Sequence, residues 1–146
     1  MHVREQIAQR FDALLADIPD FADTSGPRTR DIPEERLPAA TVFSARETAS
    51  VDHQTSVTDI AYRRQVEFLI VIHLAAGALR TAFNALCVPV EAALLADPRQ
   101  GGLARDTTLA GSEFAIDPQT ARPLGFGFVR ILVTYVASSA NPETPL

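Results

Sequence analysis

A single cysteine, Cys87, rules out any disulfide within this chain. Flanked by Leu86, Val88 and Val90, it reads as a small core hydrophobe and not as a nucleophile. Lysine is missing altogether: all 13 basic residues are arginine, a usage that points by itself to no ligand. Positive charge is also in deficit. Eighteen acidic residues give a net charge of -5 and a pI near 5.1, which weighs against a surface built to neutralise phosphates. No apolar run approaches the roughly 20 residues that span a bilayer. The opening MHVREQIAQRF carries charge in its first turns, so it does not read as a signal peptide, and folding in a cytoplasm is expected.

Catalytic and metal-binding patterns are equally scarce. His53 and His73 are too far from each other and from acids for any metal-ligand spacing. Gly111-Ser112 lacks the Gly-x-Ser-x-Gly elbow of a hydrolase. The GG of RQGGLA follows a helix instead of opening one, has no Lys-Ser/Thr after it and lies between Asp97 and Asp106, so it is not a phosphate loop. Glu34-Glu35 sits in a Pro-rich stretch, where carboxylates are normally solvated. No catalytic residue, cofactor or metal is expected, and no membrane partner.

What is present is 146 residues with 47 % hydrophobic content, enough for one domain with a real core. Val3, Ile7, Phe11, Leu14 and Ile18 recur at helical spacing and predict a helix over 3–17, stopped by Pro19. The Pro-rich segment 21–36 reads as a surface loop, and LPAATVFSA as a short strand entered at Pro38. The polar segment 46–59 is expected to be a mobile loop. In AYRRQVEFLIVIHLAA the even positions Tyr62, Val66, Phe68, Ile70, Ile72 and Leu74 make a buried strand face, while Leu69 and Val71 make the strand's middle apolar on its other side as well. Phe83, Leu86, Val90 and Leu94 share one stripe of a second helix, expected to kink at Pro89. TLAGSEFAID and PLGFGFVRILVTY read as two strands around the turn DPQTARP, followed by a loose tail over 138–146. The order helix-strand-strand-helix-strand-strand is an α+β fold with two helices on a four-stranded antiparallel or mixed sheet. It is a cyclic rearrangement of the ferredoxin-like pattern.

The stretch GFGFVRI is close to the signature by which an RNA-recognition domain stacks bases on alternating aromatics of one strand. Phe126, Phe128 and Arg130 fall on one sheet face, but Leu124 stands where a basic residue belongs and Ile131 where an aromatic belongs. An ordinary strand with glycines where a helix comes close accounts for the same residues. An RNA-binding sheet is therefore kept as the alternative.

Four stretches taken in order, LPAATVFSARE, RRQVEFLIVIHLAA, ALCVPVEAALLADPRQGGLARDTTLAGSEFAID and PLGFGFVRILVTY, resemble the tail-terminator proteins of long-tailed phages. These are the minor tail protein U type, with related tail components of gene transfer agents. The resemblance covers most of residues 36–135. It implies a virion structural protein, assembled in a bacterial cytoplasm, whose hexameric ring caps the tail tube, stops its polymerisation and joins it to the head. Its implied partners are other copies of the chain, the tail-tube protein and a head-completion or connector protein, with DNA passing through unbound. Another head-tail joining protein of such a particle is a second alternative. On this basis Leu69, Val71, Phe126, Phe128 and Arg130 are expected at the subunit interface, and Arg46, Glu47, Asp52 and His53 in a loop that touches the tail tube.

Overall fold

The computed structural model describes residues 1–25, 32–75, 79–117 and 124–146. Helix α1 (Val3–Ala16) forms where expected and buries Val3, Ile7 and Phe11 of the expected stripe, but Leu15 takes the buried place expected for Leu14, which is only partly buried. His2 caps it, its ring accepting the Arg4 N–H at 3.1 Å. Helix α2 (Leu79–Leu95) buries Leu79, Phe83, Leu86, Val90 and Leu94 and carries Pro89 within it. Both helices lean on the same side of a four-stranded sheet made of β1 (Ala39–Gln54), β2 (Ile60–Leu74), β3 (Asp106–Asp117) and β4 (Leu124–Ser138). The strand order is β1-β2-β4-β3, and every neighbouring pair is antiparallel. This is the neighbour pattern of a cyclically rearranged ferredoxin-like layer.

The core lies between the sheet and the two helices. Val66, Phe68, Ile70 and Ile72 of β2 and Val129, Ile131 and Val133 of β4 are fully buried there, and Phe11 meets Phe68 edge-on with ring centroids 5.1 Å apart. The alternation in β2 arises because even-numbered side chains point at the helices and odd-numbered ones away from them.

Two expectations need correcting. Residues 46–54 do not loop: they continue β1 in register with β2, from Arg46 opposite Glu67 to Gln54 opposite Ile60. The polar composition misleads because this half of the strand is held by its backbone ladder and buries almost nothing, its residues being exposed apart from half-buried Glu47. Only 55–59 turns, closed by the Thr55 N–H donating to the Asp59 carbonyl at 3.1 Å. Nor is 138–146 loose. Ser138 ends β4, Pro145 bridges Ala137, and the Leu146 N–H donates to the Val136 carbonyl at 2.9 Å. All but the first residue of the turn expected at 117–123, and part of the expected 21–36 loop (26–31), lie outside the described residues.

Candidate functional site: an uncovered sheet face

Directly opposed residues of antiparallel strands share a face. The pairs Leu69–Arg130, Val71–Phe128 and Glu67–Leu132 between β2 and β4, and Phe43–Leu69 between β1 and β2, therefore lie together on the side away from the helices. All five expected interface residues are thus brought to one face: Leu69, Val71, Phe126, Phe128 and Arg130. Among the described residues no helix lies on this side, and the rings of Phe43 and Phe126 stay 39 % and 38 % exposed. Phe43 was not expected here, although its place in TVFSA two residues after Thr41 carried the signal.

The middle of the face carries one charged pair, which is self-satisfied, while Arg46 and Glu113 stand at its edges. Arg130 donates through Nε to Oε1 of Glu67 at 3.0 Å and through Nη2 to Oε2 at 3.2 Å. This bidentate pair raises the arginine's pKa still further, and it occupies the guanidinium that a phosphate would need.

The glycines of GFGF answer to the other side of the sheet. A Cβ on Gly127 would lie 2.3 Å from Cε2 of Phe83 and 2.6 Å from the Glu113 carbonyl oxygen; on Gly125 it would meet Leu79 at 3.1 Å and Phe114 at 3.2 Å. They let α2 press onto β4, where Phe83 stacks on Phe114 with centroids 5.3 Å apart. Phe126 and Phe128 face outward because the alternating glycines face α2.

The four residues expected to contact a tail tube separate. Arg46 lies on the open face, opposite Glu67. Glu47 turns to the helix side, receiving Arg4 Nη1 at 2.5 Å and the hydroxyl of Tyr135, with Arg64 Nη1 4.0 Å away. Burial, followed by the bond to Glu47, drives the Tyr135 pKa far up. Burial and the neighbouring Arg4 and Arg64 lower that of His2, whose Nε2 faces Arg64 Nη1 at 3.2 Å. This knot ties α1 to the sheet, a structural role that sequence spacing did not reveal. Asp52 and His53 stay exposed near the hairpin end, Asp52 bound by His53 at 2.9 Å and Arg63 at 2.8 Å.

Burial, with Glu91 nearby, pushes the Cys87 thiol up to about 11, leaving it protonated and unreactive. Burial lowers the pKa of His73. No group of three or more His, Cys, Asp or Glu placed to hold a metal occurs among the described residues, and no described helix is long and apolar enough to cross a membrane. The DPRQGG segment is a tied turn: Asp97 accepts the N–H groups of Gly101 at 2.6 Å and Arg99 at 3.0 Å, and Gly101 and Gly102 take φ of 69° and 92°. Buried Gln100 completes it, donating to the Leu94 carbonyl at 2.8 Å. No family model matches the chain, and no curated protein is significantly similar to it in sequence.

Proposed function

We propose that this protein is a structural assembly subunit, a phage tail terminator or closely related head-tail joining component. In this reading it forms a ring that caps a tail tube, stops its growth and links it to the head. It acts by binding and needs no cofactor. The observation that carries the proposal is the apolar sheet face around Phe128, which no helix among the described residues covers and on which Phe43 and Phe126 stay exposed. In a monomer that surface stays wet at a cost. The exposed parts of Phe43 and Phe126 amount to about 150 Å² together, so covering them is worth about 4 kcal/mol before the costs of association. The resemblance in the order and character of the four stretches supports the particular assembly.

The tail-tube contact is proposed at the β1–β2 hairpin end, where Val51 and Val57 are 60 % and 88 % exposed. Ring formation followed by arrest of tube growth in a polymerisation assay is the test. A protein that assembles but leaves tube length unchanged removes the terminator role. The alternative, base stacking on Phe126 and Phe128, is disfavoured by the engagement of Arg130 with Glu67; a salt-sensitive shift of single-stranded RNA would revive it.

A further inference from the structure

A second unpartnered apolar surface lies on the opposite side of the molecule. Helices α1 and α2 occupy equivalent positions on the sheet, yet their outward sides differ. That of α1 carries Glu5 and Gln9, whereas that of α2 carries Thr81, Ala85, Val88 and Ala92, all exposed, with Val88 at 68 %. The other exposed side chains of α2 are Arg80, Ala82 and Asn84, so this side is mostly small or apolar where a surface helix normally turns charged and polar residues to water. The four positions recur at spacings of four, three and four, so they form one continuous stripe. The only charges on α2 are Arg80 in its first turn and Glu91 one turn before its C-terminus.

We propose that the occupant of the open sheet face is helix α2 of a second copy of this chain. Small side chains on the helix let its backbone approach the large rings on the sheet, and the charges fix its direction. Glu113 on β3 and Arg46 on β1 flank the apolar face at opposite corners, Glu113 level with Phe128 and Arg46 level with Glu67. Neither makes a hydrogen bond or salt bridge among the described residues, and the same holds for Arg80 and Glu91. Three strand spacings and four residues along the strands separate the Glu113 and Arg46 backbones by about 20 Å. Eleven residues of helix separate Arg80 and Glu91 by about 16 Å, and long side chains close the difference. A neighbour's α2 crossing the sheet diagonally therefore sets Arg80 beside Glu113 and Glu91 beside Arg46, with Val88 over Leu69 and Phe43. The Arg130–Glu67 pair beneath is already neutralised and can be covered without leaving a lone charge.

Such a contact joins surfaces on opposite sides of one subunit, which two copies cannot satisfy mutually, so repeating it gives a ring or a filament and not a closed two-fold dimer. The inference rests on the assembly reading above and specifies its contact. The test places single cysteines, Val88→Cys and Phe43→Cys, each in a Cys87→Ser background, and mixes the two proteins under mild oxidation. A disulfide-linked pair is expected in the mixture and in neither protein alone. Linkage of Phe43→Cys or Val88→Cys to itself overturns the proposal, as does an oligomer on light scattering that yields no mixed linkage; in both cases the assembly reading survives. A chain that stays monomeric at every concentration overturns both. Independently, Arg80→Glu and Glu113→Arg should each weaken association about tenfold, and the double variant should recover most of it. Losses that simply add exclude the pairing.

Discussion

Replacing Gly127 by alanine separates two meanings of the GFGF stretch. If its glycines exist to admit α2, a single methyl group on the buried side of β4 must be costly, although it leaves the outward rings untouched. The added carbon would sit 2.3 Å from Phe83 Cε2 and 2.6 Å from the Glu113 carbonyl oxygen. The ring can pivot, but the carbonyl belongs to the β3–β4 ladder and cannot retreat without loosening it. Overpacking ordinarily costs 1–3 kcal/mol, and the backbone clash places this case at the upper end, about 3 kcal/mol. For a chain of this size that lowers Tm by about 10 °C. Gly125→Ala meets only the ends of the Leu79 and Phe114 side chains, at 3.1 and 3.2 Å, and should cost about 1 kcal/mol. Denaturant unfolding of both variants, at a concentration low enough to suppress association, measures the difference. A Gly127→Ala protein as stable as the parent, or no less stable than Gly125→Ala, would refute the packing explanation.

Three further outcomes are expected. Tyr135→Phe removes a hydrogen bond to the Glu47 carboxylate and should destabilise the fold by about 2 kcal/mol, read by chemical denaturation; Glu47→Ala should cost more, because half-buried Arg64 then loses its counter-charge. The pKa values of His2 and His73 are lowered in the folded state, so the fold favours their neutral forms. Their contribution is complete above about pH 6.5 and is lost as pH falls through the lower folded values; His2→Asn should flatten the decline in stability between pH 7 and 5, and an unchanged slope counts against it. Asp97→Ala should raise amide hydrogen exchange at Arg99 and Gly101, whose N–H groups it accepts, with little change in the sheet.

Much of the fold was legible because burial writes a period into the chain. The stripe Val3–Ile7–Phe11 and the alternation from Val66 to Leu74 each report one buried side, and they located α1 and β2. Residues 46–54 escaped for the complementary reason. As the outer half of an edge strand they bury almost no side chains, so their structure is written in β2's ladder and not in their own pattern. The open face was partly legible: Leu69 and Val71 break the alternation of β2, and Phe126, Phe128 and Arg130 alternate on β4. Their meeting, with Phe43 added, depends on β2 and β4 being neighbours, a long-range pairing that no local pattern encodes. The link from Glu47 to Tyr135, 88 residues apart, was invisible for the same reason.

The central claim is that the face around Phe128 holds copies of the chain together. Light scattering on the purified protein, beside its Phe128→Arg variant, tests it most directly, with electron microscopy to show the shape of what forms. The parent should appear as rings with a central hole and the variant as a folded monomer. A parent that is monomeric throughout, or a variant that still assembles into the full ring, would contradict the account.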